Sequence, residues 1–281
     1  MRVLVTGAAG MLGQRVVADA TARGWAVSAL TRAQADLTSE AQTQSAIAER
    51  EPEAIVHCAA YTDVDGAESD EAAALAGNRD AALNVARAAE AEGARMVYVS
   101  TDYVFDGTLT GRAYVESDPT APIGAYGRTK LAGEEAVASA CTNYAIARTA
   151  WVFGAGGKNF CDTMLTAAES RDSVSVVVDQ IGSPTWTGHL SPALLDLAAL
   201  DQTGLFHTAG AGQCSWNELT KELYTQAGVE CEVQDTTSDQ FVRPAARPAW
   251  SVLASERDET PRLPSWQEGV AGFLSDRKMT K

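Results

Sequence analysis

The chain has 281 residues, 46% of them hydrophobic and 21% charged, which supplies a substantial core and does not describe a disordered chain. A net charge of -15 repels the phosphates of nucleic acids and anionic lipids, so neither is an expected partner, and the acidity itself reads as a solubility device. Five cysteines (Cys58, Cys141, Cys161, Cys214 and Cys231) contain no C-x-x-C pair, no metal role is expected of them, and no apolar run approaches the roughly eighteen residues of a membrane span; a soluble, cytoplasmic protein with free thiols is expected.

Strand-like apolar runs alternate with longer helical stretches. Strands are predicted at 2–6, 26–30, 54–57, 96–100 and 144–148, with helices at 12–23, 40–50, 72–92 and 126–139 between them. Such alternation implies an α/β fold of the Rossmann type, a doubly wound parallel sheet covered on both faces. Beyond about residue 154 the pattern is less regular. Helices are predicted at 160–169 and 190–200, and strands at 174–178 and 204–208. Ser215 and Glu218 have the spacing of a capping box that opens a helix to about 227. The tail from Phe241, with Pro244, Pro248, Pro261 and Pro264, is predicted to be mostly loop ending in a short helix. The expected division is a dinucleotide-binding domain over 1–153, to which segments near 174–208 return, and a smaller interleaved substrate lobe over most of 154–281.

Gly7, Gly10 and Gly13 fall between the first strand and the first helix. A pyrophosphate-binding turn needs a tight bend, bare backbone where phosphate approaches, and close packing of helix on strand. The helix N-terminus then offers N–H donors and partial positive charge. The spacing is G-x-x-G-x-x-G, and the strand–turn–helix setting gives it weight. After the second strand the sequence reads Leu30-Thr31-Arg32, with no carboxylate for ribose hydroxyls and an arginine placed to pair with a 2′-phosphate. NADPH is therefore the expected cofactor, with NADH as the alternative. Asp36 and Leu37 are candidates for the adenine side.

Tyr126 and Lys130 lie four apart on a predicted helix and so face one way. Hydride transfer to a carbonyl carbon needs a proton for the oxygen, and a tyrosine can deliver it. A neighbouring ammonium is expected to bring the phenol down from its ordinary value near 10, and Lys130 can hold the nicotinamide ribose. Ser100-Thr101 ends the fourth strand, at the carboxyl edge where open α/β sheets bind ligands.

With these features the chain resembles the extended short-chain dehydrogenase/reductase family over nearly its whole length. The resemblance is carried by the loop Gly7 to Gly13, the run His57 to Asp65, Thr101-Asp102-Tyr103-Val104-Phe105-Asp106-Gly107, Tyr126 to Lys130, Arg148-Thr149-Ala150-Trp151-Val152 and Gln180 to Thr185. It implies reduction, by NADPH or NADH, of the 4-keto group of a nucleotide sugar, dTDP-4-dehydro-L-rhamnose, to give dTDP-L-rhamnose. It implies Tyr126 as proton donor, Lys130 as its partner and Thr101 orienting the keto oxygen. Gly10, Met11, Leu12, Asp36, Leu37, Ala59, Ala60 and Tyr61 would contact the cofactor. Asp102, Trp151, Asn159 with Phe160, and Arg247 within the run 243–248 would bind the sugar nucleotide, Arg247 meeting the diphosphate.

Two positions depart from the family. Arg15 stands where some relatives carry an acid used in a metal-bridged dimer, so a homodimer, if formed, needs another basis. Asn78 lies in Ala-Gly-Asn-Arg-Asp, where relatives read Val-Asn. The alternatives are another nucleotide-sugar 4-ketoreductase, an epimerase or dehydratase, or a non-catalytic regulatory subunit. Dehydratases carry Glu where this chain has Tyr103, and regulatory relatives tend to lose the Tyr–Lys pair.

Overall fold

The computed structural model describes residues 1–279. Six parallel strands form the main sheet: β1 (Arg2–Thr6), β2 (Ala26–Leu30), β3 (Ala54–His57), β4 (Arg95–Thr101), β5 (Tyr144–Thr149) and, after the short strands introduced below, β10 (Gly204–His207). Their order is β10-β5-β4-β3-β1-β2. The chain reverses direction across the sheet between β1 and β3, and such a switch point opens a crevice at the carboxyl ends of the strands.

Both faces are covered because the strands are apolar on both. Val3 and Val5 of β1 pack with Val16 and Ala20 of α1 (Met11–Ala22) and with Leu190 and Leu194 of α8 (Thr187–Ala199). Leu4 points the other way, into a cluster with Ile47 of α2 (Glu40–Ala48), Val85 of α5 (Ala81–Glu92) and Val137 of α6 (Ala125–Ala140). The fold is thus the doubly wound α/β sheet that the strand–helix alternation implies.

The stretch predicted as one helix over 72–92 is not uniform. After α3 (Val64–Ser69), it runs as α4 (Glu71–Leu75), a π-helical turn over Ala76–Asp80, and α5. The widened turn holds buried Asn78, and such bulges concentrate at functional sites.

Short strands β6 (Val152–Phe153), β8 (Ile181–Gly182), β9 (Thr185–Trp186) and β11 (Cys214–Ser215) stitch the second lobe together. Its core joins α7 (Phe160–Ala168), α9 (Trp216–Ala227) and α10 (Trp266–Met279) through Leu165, Leu219, Leu223, Val270 and Phe273. Ser215 and Glu218 form the expected capping box at the start of α9. Within the stretch 174–208, α8 and β10 lie on the main sheet. β7 (Ser173–Val177) does not: it pairs in parallel with β12 (Glu232–Thr236) in this lobe. No described helix is long and apolar enough to cross a membrane.

Candidate active site

The turn from β1 to α1 packs directly against the end of β3. Gly7 has φ +65°, and a Cβ there would lie 2.6 Å from the Ala59 nitrogen. A Cβ on Gly13 would lie 2.2 Å from the Gly7 carbonyl oxygen. Only glycine permits this approach, which leaves the turn's backbone bare. Beside it opens a cavity of about 490 Å³, lined by Gly7, Leu30, Thr31, Arg32, Asp36, Leu37, Ala59, Ala60 and Tyr61, with Ala73, Ala76, Gly77 and Ala81 as its far wall. Gly10, Met11, Leu12 and Gly13 form the adjoining N-terminus of α1 and do not line this cavity.

Arg32 is exposed at the cavity rim. Asp36 accepts hydrogen bonds from the Thr38 hydroxyl (2.8 Å) and the Thr38 nitrogen (3.0 Å), which hold its carboxyl below the ordinary range. Asn78 matters more than its sequence setting suggests. Its Oδ1 accepts from the Tyr61 nitrogen (2.9 Å), and its Nδ2 donates to the Tyr61 carbonyl (3.2 Å) and to Thr129 Oγ1 (3.1 Å). It therefore fixes the Ala59–Tyr61 wall and ties it to α6.

Tyr126 and Lys130 occupy one face of α6, over the end of β4. Lys130 Nζ donates to the Val99 carbonyl at 2.7 Å and sits 4.1 Å above the Tyr98 ring. Burial pulls the Lys130 ammonium down to about 7. Burial, with the Lys130 charge adding to it, lowers His57 to about 3, so His57 is neutral; its Nδ1 pairs with Thr6 Oγ1 at 2.7 Å. Glu134, one turn beyond Lys130, accepts a two-point bond from Arg148 (2.9 and 2.6 Å) and another from the Ser100 hydroxyl (2.5 Å), all of it buried.

One electrostatic expectation fails here. Tyr126 is not lowered by Lys130. Burial first, and the Asp102 charge second, raise its phenol to about 12, against a hydrogen bond with Thr101 that pulls the other way. The lysine is turned toward the Val99 carbonyl and the Tyr98 ring.

Thr101 and Asp102 flank Tyr126. The Thr101 hydroxyl donates to Asp102 Oδ1 at 3.1 Å and accepts from the Tyr103 nitrogen at 3.2 Å. Asp102 is 2% exposed, and its Oδ2 has no hydrogen-bond partner among the described residues. Burial raises its carboxyl to about 6 despite bonds from Ser251 and Thr101. Tyr103 meets the Tyr126 ring edge-on at 5.6 Å.

On the far side of Tyr103 lies a second cavity of about 340 Å³. Phe160, Trp216 and Phe241 form its aromatic walls, with Met164 and Gln180 beside them, and Arg243 and Arg247 its basic rim. Trp151 stacks flat on Trp216, with ring centres 3.6 Å apart, and has φ +47°, an unusual backbone for a bulky residue. Asn159 does not line the cavity. It caps α7, accepting from the Asp162 nitrogen at 3.0 Å, and its amide donates to Gly154, Gly157 and Asp162. Arg247 lines the cavity with its fork bound to Asp65, at 3.0 Å on both oxygens. Arg15, on α1, pairs within the chain with Asp19 and Asp276. No group of three or more His, Cys, Asp or Glu among the described residues is placed to hold a metal ion.

A bare glycine turn at a switch point, a Tyr–Lys helix over β4 and a second cavity beyond Tyr103 define a dinucleotide-dependent oxidoreductase of the extended short-chain dehydrogenase/reductase class. The family profile described as "RmlD substrate binding domain" matches residues 1–279, and the chain belongs to that family. It is 46% identical to the dTDP-4-dehydrorhamnose reductase of Streptomyces griseus, over 91% of this chain and 86% of that protein. It is 43% identical to the enzyme of the same name from Mycobacterium tuberculosis, over 98% and 92%. A crystal structure of dTDP-4-dehydrorhamnose reductase from Bacillus anthracis in complex with NADP superimposes with a TM-score of 0.95 at 36% identity, covering 98% of this chain and 99% of that one.

Proposed function

We propose that the protein uses NADPH to reduce the 4-keto group of dTDP-4-dehydro-L-rhamnose, giving dTDP-L-rhamnose. The observation that carries the reading is that Tyr126 meets Tyr103, which lines the cavity with the aromatic and basic walls, and shares a packed cluster with Tyr61, which lines the cavity beside the glycine turn. The first fits a dinucleotide: its entrance is bare backbone, and exposed Arg32 suits a 2′-phosphate. When bound as NADPH, the cofactor supplies hydride to the carbonyl carbon.

The chain's own groups do the rest. Tyr126, held protonated, donates its phenolic proton to the developing alkoxide, and Thr101 aligns that phenol. Lys130, anchored on Val99, stands on the same helix face to hold a ribose hydroxyl. The free Oδ2 of Asp102 accepts from a sugar hydroxyl, which would satisfy a buried orphan. Trp216 gives the sugar an apolar wall, with Trp151 stacked on it, and Arg247 faces the diphosphate. Tyr103, at the place where dehydratases carry Glu, offers no carboxylate for removing water. The reading places the enzyme in the cytoplasm, consistent with five free cysteines.

The test is loss of NADPH absorbance on adding dTDP-4-dehydro-L-rhamnose to purified protein, with dTDP-L-rhamnose identified as product. No oxidation by folded protein would sink the proposal. A second substrate belongs in the same assay, because the chain is also 40% identical to a dTDP-4-keto-6-deoxy-D-glucose reductase of Streptomyces niveus.

A further inference from the structure

The carboxylate of Asp65 gathers up the segment that borders the second cavity. Its two oxygens take the Arg247 fork at 3.0 Å each, and Oδ1 also accepts the Ala245 nitrogen at 3.1 Å. Arg243 Nη1 stands 3.6 Å from Oδ2. Asp65 and Arg247 are 182 apart in sequence, and Asp65 lies on α3, only four residues beyond Tyr61 in the dinucleotide cavity. Its carboxyl is held below the ordinary range, first by the Arg247 hydrogen bonds.

A carboxylate beside a diphosphate site is electrostatically unfavourable, so its presence needs an explanation. A guanidinium has five N–H donors in a rigid fork. Nη1 spends both of its own on Asp65 and the Ala245 carbonyl (2.7 Å), and Nη2 spends one on Asp65. Among the described residues nothing takes the Nε–H or the second Nη2–H, on a side chain that lines the cavity and is 19% exposed. The long side chain is thus held in one rotamer with two donors unspent, enough for two-point contact with a phosphate.

We propose that Asp65 is a positioning residue that presets Arg247 for the diphosphate of a nucleoside-diphosphate substrate. This rests on the function proposed above. Losing the anchor makes binding meet the cost of ordering one rotamer-rich arginine, about tenfold in affinity.

Binding of dTDP and, separately, of NADPH is measured calorimetrically on wild type, Asp65→Asn, Arg247→Ala and the double variant. The expected result is about tenfold weaker dTDP binding by Asp65→Asn, unchanged NADPH binding, and no further loss when Asp65→Asn is added to Arg247→Ala. Unchanged or tighter dTDP binding by Asp65→Asn overturns the proposal, because the carboxylate would then be a competitor for Arg247. Equal weakening on the Arg247→Ala background also overturns it, because Asp65 would not act through that arginine. Wild-type protein that binds NADPH but not dTDP removes the proposed function along with it; wild-type binding with an indifferent variant removes only the role of Asp65.

Discussion

Gly127, the residue after Tyr126, offers a sharp test of how tightly the reaction depends on the seating of α6. A Cβ at this position would lie 2.2 Å from the Tyr103 carbonyl oxygen and 3.0 Å from Pro122 Cβ. Ordinary contact begins near 3.4 Å, so the alanine variant must open the gap by about 1 Å. The obstacle is backbone, in the 3₁₀ turn that follows Thr101, and cannot swing aside as a side chain would. Either the helix lifts or the turn retreats, and both separate Tyr126 from Thr101. Misplacement of about 1 Å in an active site costs about a hundredfold in rate. Overpacking costs about 1–3 kcal/mol in stability, which a chain of this size tolerates. Gly127→Ala should therefore lower kcat about a hundredfold. Its NADPH affinity should stay near wild type, since the adenosine-side cavity is lined from β1, β2, β3 and the neighbouring helices. The assay is steady-state NADPH oxidation, with circular dichroism to confirm folding. A folded variant with kcat within threefold of wild type would refute the geometry argued for Tyr126 and Thr101.

Tyr126→Phe should cut turnover by at least a hundredfold while leaving NADPH binding nearly intact, since it removes the proton and little of the surface; calorimetry alongside kinetics separates the two. Arg32→Ala should weaken NADPH about tenfold more than NADH, read as the ratio of the two dissociation constants, and a ratio unchanged from wild type would make Arg32 a bystander. Asp102→Asn should alter the pH dependence of stability. The folded carboxyl is raised to about 6 from 3.8, so the unfolded chain gives up its proton first, and wild type loses stability as pH rises from about 4 to 6. The variant escapes that loss and should gain about 3 kcal/mol on wild type over that interval in urea titrations. A difference that stays flat with pH would mean that Asp102 is not the strained group described.

The sheet was legible because buried parallel strands announce themselves as apolar runs at regular spacing, and the glycine turn because tight packing admits nothing else. What was illegible depends on distant partners. The Ala-rich run 72–92 keeps a helical period throughout, and the π turn within it is intelligible only through Asn78 and Tyr61, 17 residues apart. β12, Glu-Val-Gln-Asp-Thr, has no buried position, so it carries no apolar signal; only its pairing with β7 makes it a strand. The resemblance implied a ligand role for Asn159; its place as the cap of α7, through the Asp162 nitrogen, is an ordinary helix-start pattern that the sequence also offers. Spacing put Tyr126 and Lys130 on one face but said nothing about where the amine points. β4 decides that, through the Val99 carbonyl and the Tyr98 ring.

That direction bears on which way the chemistry runs. A phenol that must give up a proton should be protonated beforehand, whereas one that must accept a proton from an alcohol should be ionised. A phenol at its ordinary value near 10 is already protonated at neutral pH, and burial, with the Asp102 charge second, raises Tyr126 further, to about 12. A lysine aimed at the phenol would have done the opposite. Lys130, near 7 and bound to a carbonyl, is poised instead to hold and exchange a proton on its own account. The fold thus sets the resting charge of the site for delivering a proton to a carbonyl oxygen. Reduction is the direction for which this arrangement needs no prior ionisation.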